Sequence, residues 1–302
     1  MTDNNSFDVI IIGGSYSGLA AAMALGRALK KVLVIDSGNP SNKQTPYSHN
    51  LLTHDGDTPR EILALANLQV RKYNTVKFFD GLAISGQKSG NRFEILTESG
   101  KIFTGKKLIL ATGIRDLMPD IDGFSKCWGI SVLHCPYCHG YEVRNEITGL
   151  LGNGENGFDL ARLISNWTNR LTLFTNGTSA LSGEQSEKLE KKSIEIVEKE
   201  IEKLEHKNGH LENIIFRDGT KFAVNTIYAP IPFEQHCNIP ESLGCELTED
   251  GYIKIDPFQE TTVNGIYACG DNVTRVRTLA NAVGMGTSAG MTLSKKMIFE
   301  EF

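Results

Sequence analysis

Asp8-Val9-Ile10-Ile11-Ile12-Gly13-Gly14-Ser15-Tyr16-Ser17-Gly18 is the stretch on which the fold turns. A run of β-branched residues stopped by two glycines predicts a buried strand that ends in a tight turn. The small residues from Ser17 to Lys30 continue as a helix, and Val32-Leu33-Val34-Ile35 form a second strand that ends at Asp36. Strand, glycine turn, helix and strand make the first unit of a doubly wound parallel sheet. Ser15 stands where the G-x-G-x-x-G pattern has its middle glycine. A side chain that small leaves room for a pyrophosphate at the helix N-terminus. Asp36 lies where an acid binds a ribose hydroxyl, and the competing possibility is a glycine turn with no ligand.

Beyond Asp36, residues 37–59 are polar and predict a long loop over a ligand. His49 and His54 lie in it, either touching ligand or solvated. An amphipathic helix is expected over about 59–73, then a small antiparallel meander from Thr75 to Phe103. Lys107-Leu108-Ile109-Leu110 runs into Ala111-Thr112-Gly113, where small residues let a cofactor approach the backbone. The same grammar restarts at Gly152-Asn153-Gly154-Glu155-Asn156-Gly157. The matching offset of 23 from Gly152 lands on Thr175, not on an acid, and residues 175–187 contain no arginine or lysine for a 2′-phosphate. Whether this second turn binds NAD(P)H stays open. The charged tract 184–210 reads as a solvated helix followed by short strands, Gly265 to Asp271 as a buried strand ending in Gly270-Asp271, and a final helix begins near 278.

Between the two glycine turns lies His134-Cys135-Pro136-Tyr137-Cys138-His139-Gly140-Tyr141-Glu142. Two intervening residues place the cysteines about one helical turn apart, where they can cross-link and one thiol can be activated. The flanking histidines exchange protons near neutral pH, as thiol–disulfide exchange requires. Zinc is a rival, with His236 and Cys237 as the one candidate second ligand pair. An inert structural pair is the third possibility. The four other cysteines read as buried small hydrophobes.

The chain has 302 residues, 40% of them apolar and 22% charged, which predicts two globular domains rather than a disordered chain. Thirty-one Lys+Arg against 36 Asp+Glu give a net charge of −5, the wrong sign for a nucleic-acid partner. No apolar run approaches the roughly 18–20 residues of a membrane span, and the polar, acidic start does not resemble a signal peptide, so a cytoplasmic location is expected.

These motifs in this order make the chain resemble the low-molecular-weight thioredoxin reductases over nearly its whole length. The resemblance implies two Rossmann-like, three-layer α/β nucleotide-binding domains, the second inserted in the first. An FAD-binding domain would span 1–115 and 240–302, and an NAD(P)H-binding-like domain carrying the cysteines would span 116–239. FAD contacts are implied at Gly13, Gly14, Ser15, Tyr16, Ser17, Gly18, Asp36, Ser37, Ala111, Thr112, Gly113, Gly270 and Asp271. Arg277-Thr278-Leu279 is similar to the family's Arg-Gln-Ala at the isoalloxazine. Cys138 would face the flavin and Cys135 the substrate, in a homodimer.

Two departures stand out. His139 replaces the family's aspartate after the second cysteine, and Phe174-Thr175-Asn176-Gly177 replaces its His-Arg-Arg type motif. Both make the chain look like the gliotoxin-type FAD-dependent dithiol oxidases, which oxidise a small-molecule dithiol with oxygen and without NADPH. In that case His139, with His134, moves the protons. The alternatives are an NADPH-dependent reductase of a thioredoxin-like protein or small disulfide, and a flavin- or zinc-containing binding module without turnover.

Overall fold

The computed structural model describes residues 5–302. The chain forms two compact units. Of the described residues, the first contains those up to 43, 51–115 and 233–302, and the second contains 44–50 and 116–232. The division differs from the expected boundaries at two places. The chain re-enters the first unit at Phe233 rather than at 240, and seven residues of the polar loop, Gln44–Asn50, go with the second unit.

The first unit begins with β1 (Ser6–Ile12), α1 (Tyr16–Arg27), β2 (Val32–Asp36), α2 (Pro59–Val70) and β3 (Val76–Asp80). It continues through β4 (Ala83–Ser89), β5 (Arg92–Thr97) and β6 (Ile102–Leu110) to β7 (Ile114–Asp116), where the chain leaves it. β1 is buried on both faces. Val9 and Ile11 point into one apolar cluster and Ile10 and Ile12 into another, the two-residue alternation of a central strand. α2 starts with a full capping box, Thr58 and Glu61 satisfying each other's amides, and with Pro59 at its first position.

The expected meander is corrected in two respects. β3 (VKFFD) is not antiparallel to its successors but pairs parallel with β2, in register Val32↔Val76. α2 carries the chain back over the sheet, and a crossover of that kind delivers a parallel strand. Ile102–Thr104 and Lys107–Leu110 belong to one nine-residue strand. β6 pairs parallel with β1, while its other edge takes β5 antiparallel near Ile102–Gly105.

The second unit contains α3 (Phe124–Cys127), β8 (Val132–Leu133), α4 (Pro136–His139), β9 (Thr148–Leu151), α5 (Gly154–Ile164), β10 (Leu171–Phe174), α6 (Gly183–Lys191) and β11 (Glu195–Val197). β12 (Ile201–Lys207), β13 (His210–Phe216), β14 (Lys221–Ala223) and β15 (Thr226–Tyr228) complete it. Its parallel sheet runs β11-β10-β9-β15-β8, and β12-β13-β14 form a separate antiparallel sheet.

The chain returns to the first unit through β16 (Phe233–Gln235), which pairs with β7, and α7 (Ile239–Ser242). It ends with β17 (Ile266–Ala268) and α8 (Leu279–Glu301). β17 pairs parallel with Leu108–Leu110, completing the order β3-β2-β1-β6-β5-β4 with β17 beside β6. α8 packs directly on α1. A Cβ at Gly286 would stand 2.0 Å from the Ser17 carbonyl oxygen, and one at Gly290 2.7 Å from that of Ala21. The small residues of both helices bring the backbones to near contact and hold the α1 N-terminus in place.

Candidate functional site

The first glycine turn is closed from three sides. Gly13 has φ +104°, and a Cβ there would meet the Ala111 carbonyl oxygen at 2.1 Å. A Cβ at Gly18 would lie 1.9 Å from the Gly13 carbonyl oxygen, and one at Gly14 2.7 Å from the Asp36 Cβ. The Gly14 amide donates to Asp36 Oδ1 at 3.0 Å, so the acid at the end of β2 is tied to the turn. Ser15 is the N-cap of α1 but makes no capping hydrogen bond with its side chain, and the first turn of α1 has no acid. These amides and the positive end of the helix dipole suit an anion.

Ser17 sits under Gly270, whose added Cβ would stand 2.6 Å from the serine hydroxyl. Next to it, Asn272 is wholly buried. Its Nδ2 donates to the Leu110 carbonyl at 2.9 Å and to Thr112 Oγ1 at 3.3 Å, while its Oδ1 finds no partner among the described residues. An orphaned buried acceptor is costly in a protein that has nothing to give it, and fits a site completed by a ligand. Gly113 has φ +66° and open space where a side chain would be. Asp271 faces Arg277 with 3.7 Å between carboxylate oxygen and Nε. Thr278 caps α8, accepting from the Asn281 amide at 3.2 Å, and Leu279 packs against the cluster of Tyr16, Ile62 and Ala282. Tyr16 donates from its hydroxyl to the Pro59 carbonyl, and its burial pushes the phenol pKa up.

Asp36, Ala111 and Gly270, distant in sequence, thus meet the first glycine turn. Ser37 is exposed beside Asp36. The uncapped helix, the glycine cradle and the orphaned Asn272 oxygen fit a dinucleotide such as FAD. Sequence reasoning missed Asn272, for which the adjoining Gly270-Asp271 was the one available signal.

The second glycine turn again leads from a strand into a helix, α5, but its chemistry is different. Asn153 caps α5, its Oδ1 accepting from the Gly154 amide at 2.8 Å and from the Ala180 amide at 2.7 Å. Its Nδ2 donates to the Thr178 carbonyl. Glu155 adds a negative charge to the first turn. Thr175 is buried with its hydroxyl donating to the Gly177 carbonyl, and Asn176 accepts from the Ile201 amide. The groups that would meet a nucleotide are occupied by the protein itself.

In the second unit, Cys135 and Cys138 form a disulfide across the single turn of α4, with Cα atoms 5.4 Å apart. Cys135 is the extended N-cap and Pro136 the first helical residue, which starts the turn where the first sulfur is needed. Gly140 is required behind it, because a Cβ would lie 2.7 Å from the Trp167 indole nitrogen and 2.5 Å from the Pro136 carbonyl oxygen. Tyr137, between the cysteines, is exposed and stands edge-on to Trp167 with ring centres 5.5 Å apart. His134 stacks on Trp128 at 5.8 Å. Burial, reinforced by His49, pushes the His139 imidazole down to about 4, so it is neutral at neutral pH. His49 Nδ1 lies 3.6 Å from a Glu142 carboxylate oxygen. Sequence reasoning had placed His49 in a loop of the first unit and did not connect it with the cysteines.

The other cysteines are poor nucleophiles. Burial pushes the thiols of Cys127, Cys237 and Cys245 up, and that of Cys269 to about 12. His236 and Cys237 border a cavity of about 500 Å³ in the first unit. Among the described residues no three His, Cys, Asp or Glu side chains gather to hold a metal ion, and no helix is long and apolar enough to cross a membrane.

Comparison with known proteins identifies the family and the fold. The chain is 33% identical to thioredoxin reductase tcpT of Claviceps purpurea, over 99% of this chain and 96% of the relative. It is 30% identical to thioredoxin reductase aclD of Aspergillus oryzae, over 98% of each. The crystal structure of a putative thioredoxin reductase from Bacillus anthracis superposes with a TM-score of 0.94 at 28% identity, covering 98% of this chain and 100% of that one. The sequence pattern of the pyridine nucleotide-disulphide oxidoreductases matches residues 7–286. With its two glycine-turn units and its Cys135–Cys138 disulfide, the chain belongs to the pyridine nucleotide-disulphide oxidoreductase family, whose members use FAD with NADPH as the typical reductant.

Proposed function

We propose that this oxidoreductase oxidises a small-molecule dithiol through the Cys135–Cys138 pair, with oxygen as the final acceptor. FAD is held by the turn Gly13–Gly18, by Asp36 and Ser37, by Ala111–Gly113, and by Gly270, Asp271 and the start of α8 at Arg277, Thr278 and Leu279. When bound, FAD supplies the two-electron acceptor for the reduced pair and the route to dioxygen, which leaves as hydrogen peroxide. Cys135 forms the mixed disulfide with substrate, and Cys138 exchanges electrons with the cofactor. His139 and His134 flank the pair and serve its proton transfers.

The observation that carries the direction is the contrast between the two helix N-termini. α1 is uncapped and free of acids, whereas α5 is capped by Asn153 and carries Glu155. A pyrophosphate at α5 would have to displace the Asn153 side chain and sit beside a carboxylate. That favours a turnover that does not begin with NADPH. The names of the fungal relatives favour the alternative, an NADPH-dependent reductase of thioredoxin or a small disulfide. A homodimer in the cytoplasm belongs to the same proposal: α8 exposes Met291, Ile298 and Phe299, and four cysteines without a disulfide partner suit a reducing compartment.

Anaerobic titration of the flavin-loaded protein with NADPH, then NADH, then dithiothreitol separates the directions. Bleaching of the flavin by dithiothreitol alone, reversed by air with peroxide formed, is expected. Rapid bleaching by NADPH establishes the reductase instead.

A further inference from the structure

His139 follows the second cysteine, yet at neutral pH it holds little of any proton it receives. A dithiol brings two thiol protons to the Cys135–Cys138 disulfide. Its first sulfur attacks Cys135 and releases Cys138 as thiolate; its second displaces Cys135 and closes the substrate disulfide. The substrate loses two electrons and the pair gains them. One proton ends on Cys135, and the other needs a base.

The second unit holds a second imidazole, His49, that acts on that of His139. His49 is only 19% exposed, and its Nδ1 lies 3.6 Å from a Glu142 carboxylate oxygen, an ion pair whenever the imidazole carries a proton. Its position is secured by the segment that carries it. The Gln44 side-chain amide donates to the Trp128 carbonyl, Ser48 is buried, and Asn50 takes a left-handed φ of +60°. Gly129 leaves the room for Thr45, whose hydroxyl would lie 3.0 Å from a Cβ there. Trp128, which receives the segment, is also the ring on which His134 stacks. His49 acts electrostatically on His139. His139 and Glu142 interact with it, and Glu142 in turn acts on Tyr228 together with Glu146. Among the described residues the buried Tyr228 hydroxyl has no hydrogen-bond partner, and it feels both Glu142 and Glu146.

We propose that His49, held by Glu142, is the group on which the proton released by the Cys135–Cys138 exchange comes to rest. It acts through His139 and is therefore a positioning residue for the proton. The products of the exchange are then the substrate disulfide, the Cys135 thiol, the Cys138 thiolate and the His49 imidazolium. In the opposite direction the same imidazolium returns its proton, so the assignment rests on the proposed thiol–disulfide exchange but not on its direction.

The test is the rate at which dithiothreitol reduces the disulfide of the flavin-loaded protein under anaerobic conditions, followed by rapid quenching and thiol alkylation across pH. His49→Asn should lower the rate by about 100-fold at every pH at which the wild type is reduced. Glu142→Gln, which removes the carboxylate partner of the ring, should also lower the rate. Added imidazole should restore much of the rate of His49→Ala, a rescue that a merely structural role does not allow. A wild-type rate in His49→Asn, or a His49→Ala rate unaffected by imidazole, overturns the assignment. Reduction of the wild type by NADPH would overturn the oxidase direction while leaving this exchange step open to the same test.

Discussion

Gly14 donates its amide to the Asp36 carboxylate at 3.0 Å, fastening the first glycine turn to the end of the neighbouring strand. The two residues are 22 apart in sequence and come together because β1 and β2 are parallel neighbours in register. Asp36→Ala removes the charge-assisted bond and a candidate ribose partner. Hydrogen bonds to charged groups contribute about 1.5–3 kcal/mol, so FAD affinity should fall about tenfold to a hundredfold. Flavin released on ultrafiltration of wild type and variant measures it.

The α1–α8 contact gives two glycines of one helix opposite signs. Gly286→Ala would place a Cβ 2.0 Å from the Ser17 carbonyl oxygen, and should cost about 1–3 kcal/mol by forcing the helices apart. Gly284 has nothing within 4 Å of an added Cβ, and Gly284→Ala should be neutral or stabilise by up to about 1 kcal/mol. Thermal melts of both variants report the difference.

Cys138→Ser should retain flavin, because the residues assigned to hold it lie in the other unit, yet lose dithiol oxidation. Cys135→Ser should likewise stay yellow and fail to form the mixed disulfide with substrate. Steady-state peroxide formation with dithiothreitol as substrate checks both, and full turnover in either variant contradicts the assigned roles.

Asn153→Ala removes the α5 cap. The expected loss is about 1 kcal/mol of stability with dithiol turnover unchanged, since the second glycine turn takes no part in the proposed reaction. Denaturant unfolding read beside the peroxide assay decides it. A fall in turnover at unchanged fold would indicate that the turn serves catalysis.

The buried His139 makes stability depend on pH with a definite sign. Its folded pKa of about 4 lies below the ordinary value of 6.5, so between these two values the unfolded chain binds more protons than the folded one. Stability should therefore fall as pH is lowered from about 6.5 to 4, by up to about 3 kcal/mol from this group. His139→Asn should flatten that part of the curve in denaturant titrations at a series of pH values.

What could be read directly from the chain is what the backbone settles locally. The apolar run at Val9–Ile12, the steric freedom of Gly13 and Gly18, and the spacing of Cys135 and Cys138 each act within a few residues. Strand period, glycine turn and one-turn disulfide therefore follow from short-range geometry. The tertiary structure decided what depends on where distant segments settle. It put Val76–Asp80 into the parallel sheet because a helix crossed over it, and brought Asn272 to Leu110 and Thr112. It also assigned Gln44–Asn50 to the second unit, so that His49 stands beside Glu142, 93 residues further along. No local periodicity encodes such a meeting. It is settled by which side chains fill the space that Gly129 and Trp128 leave for one another's neighbours, and packing of that kind exists only once the fold is complete.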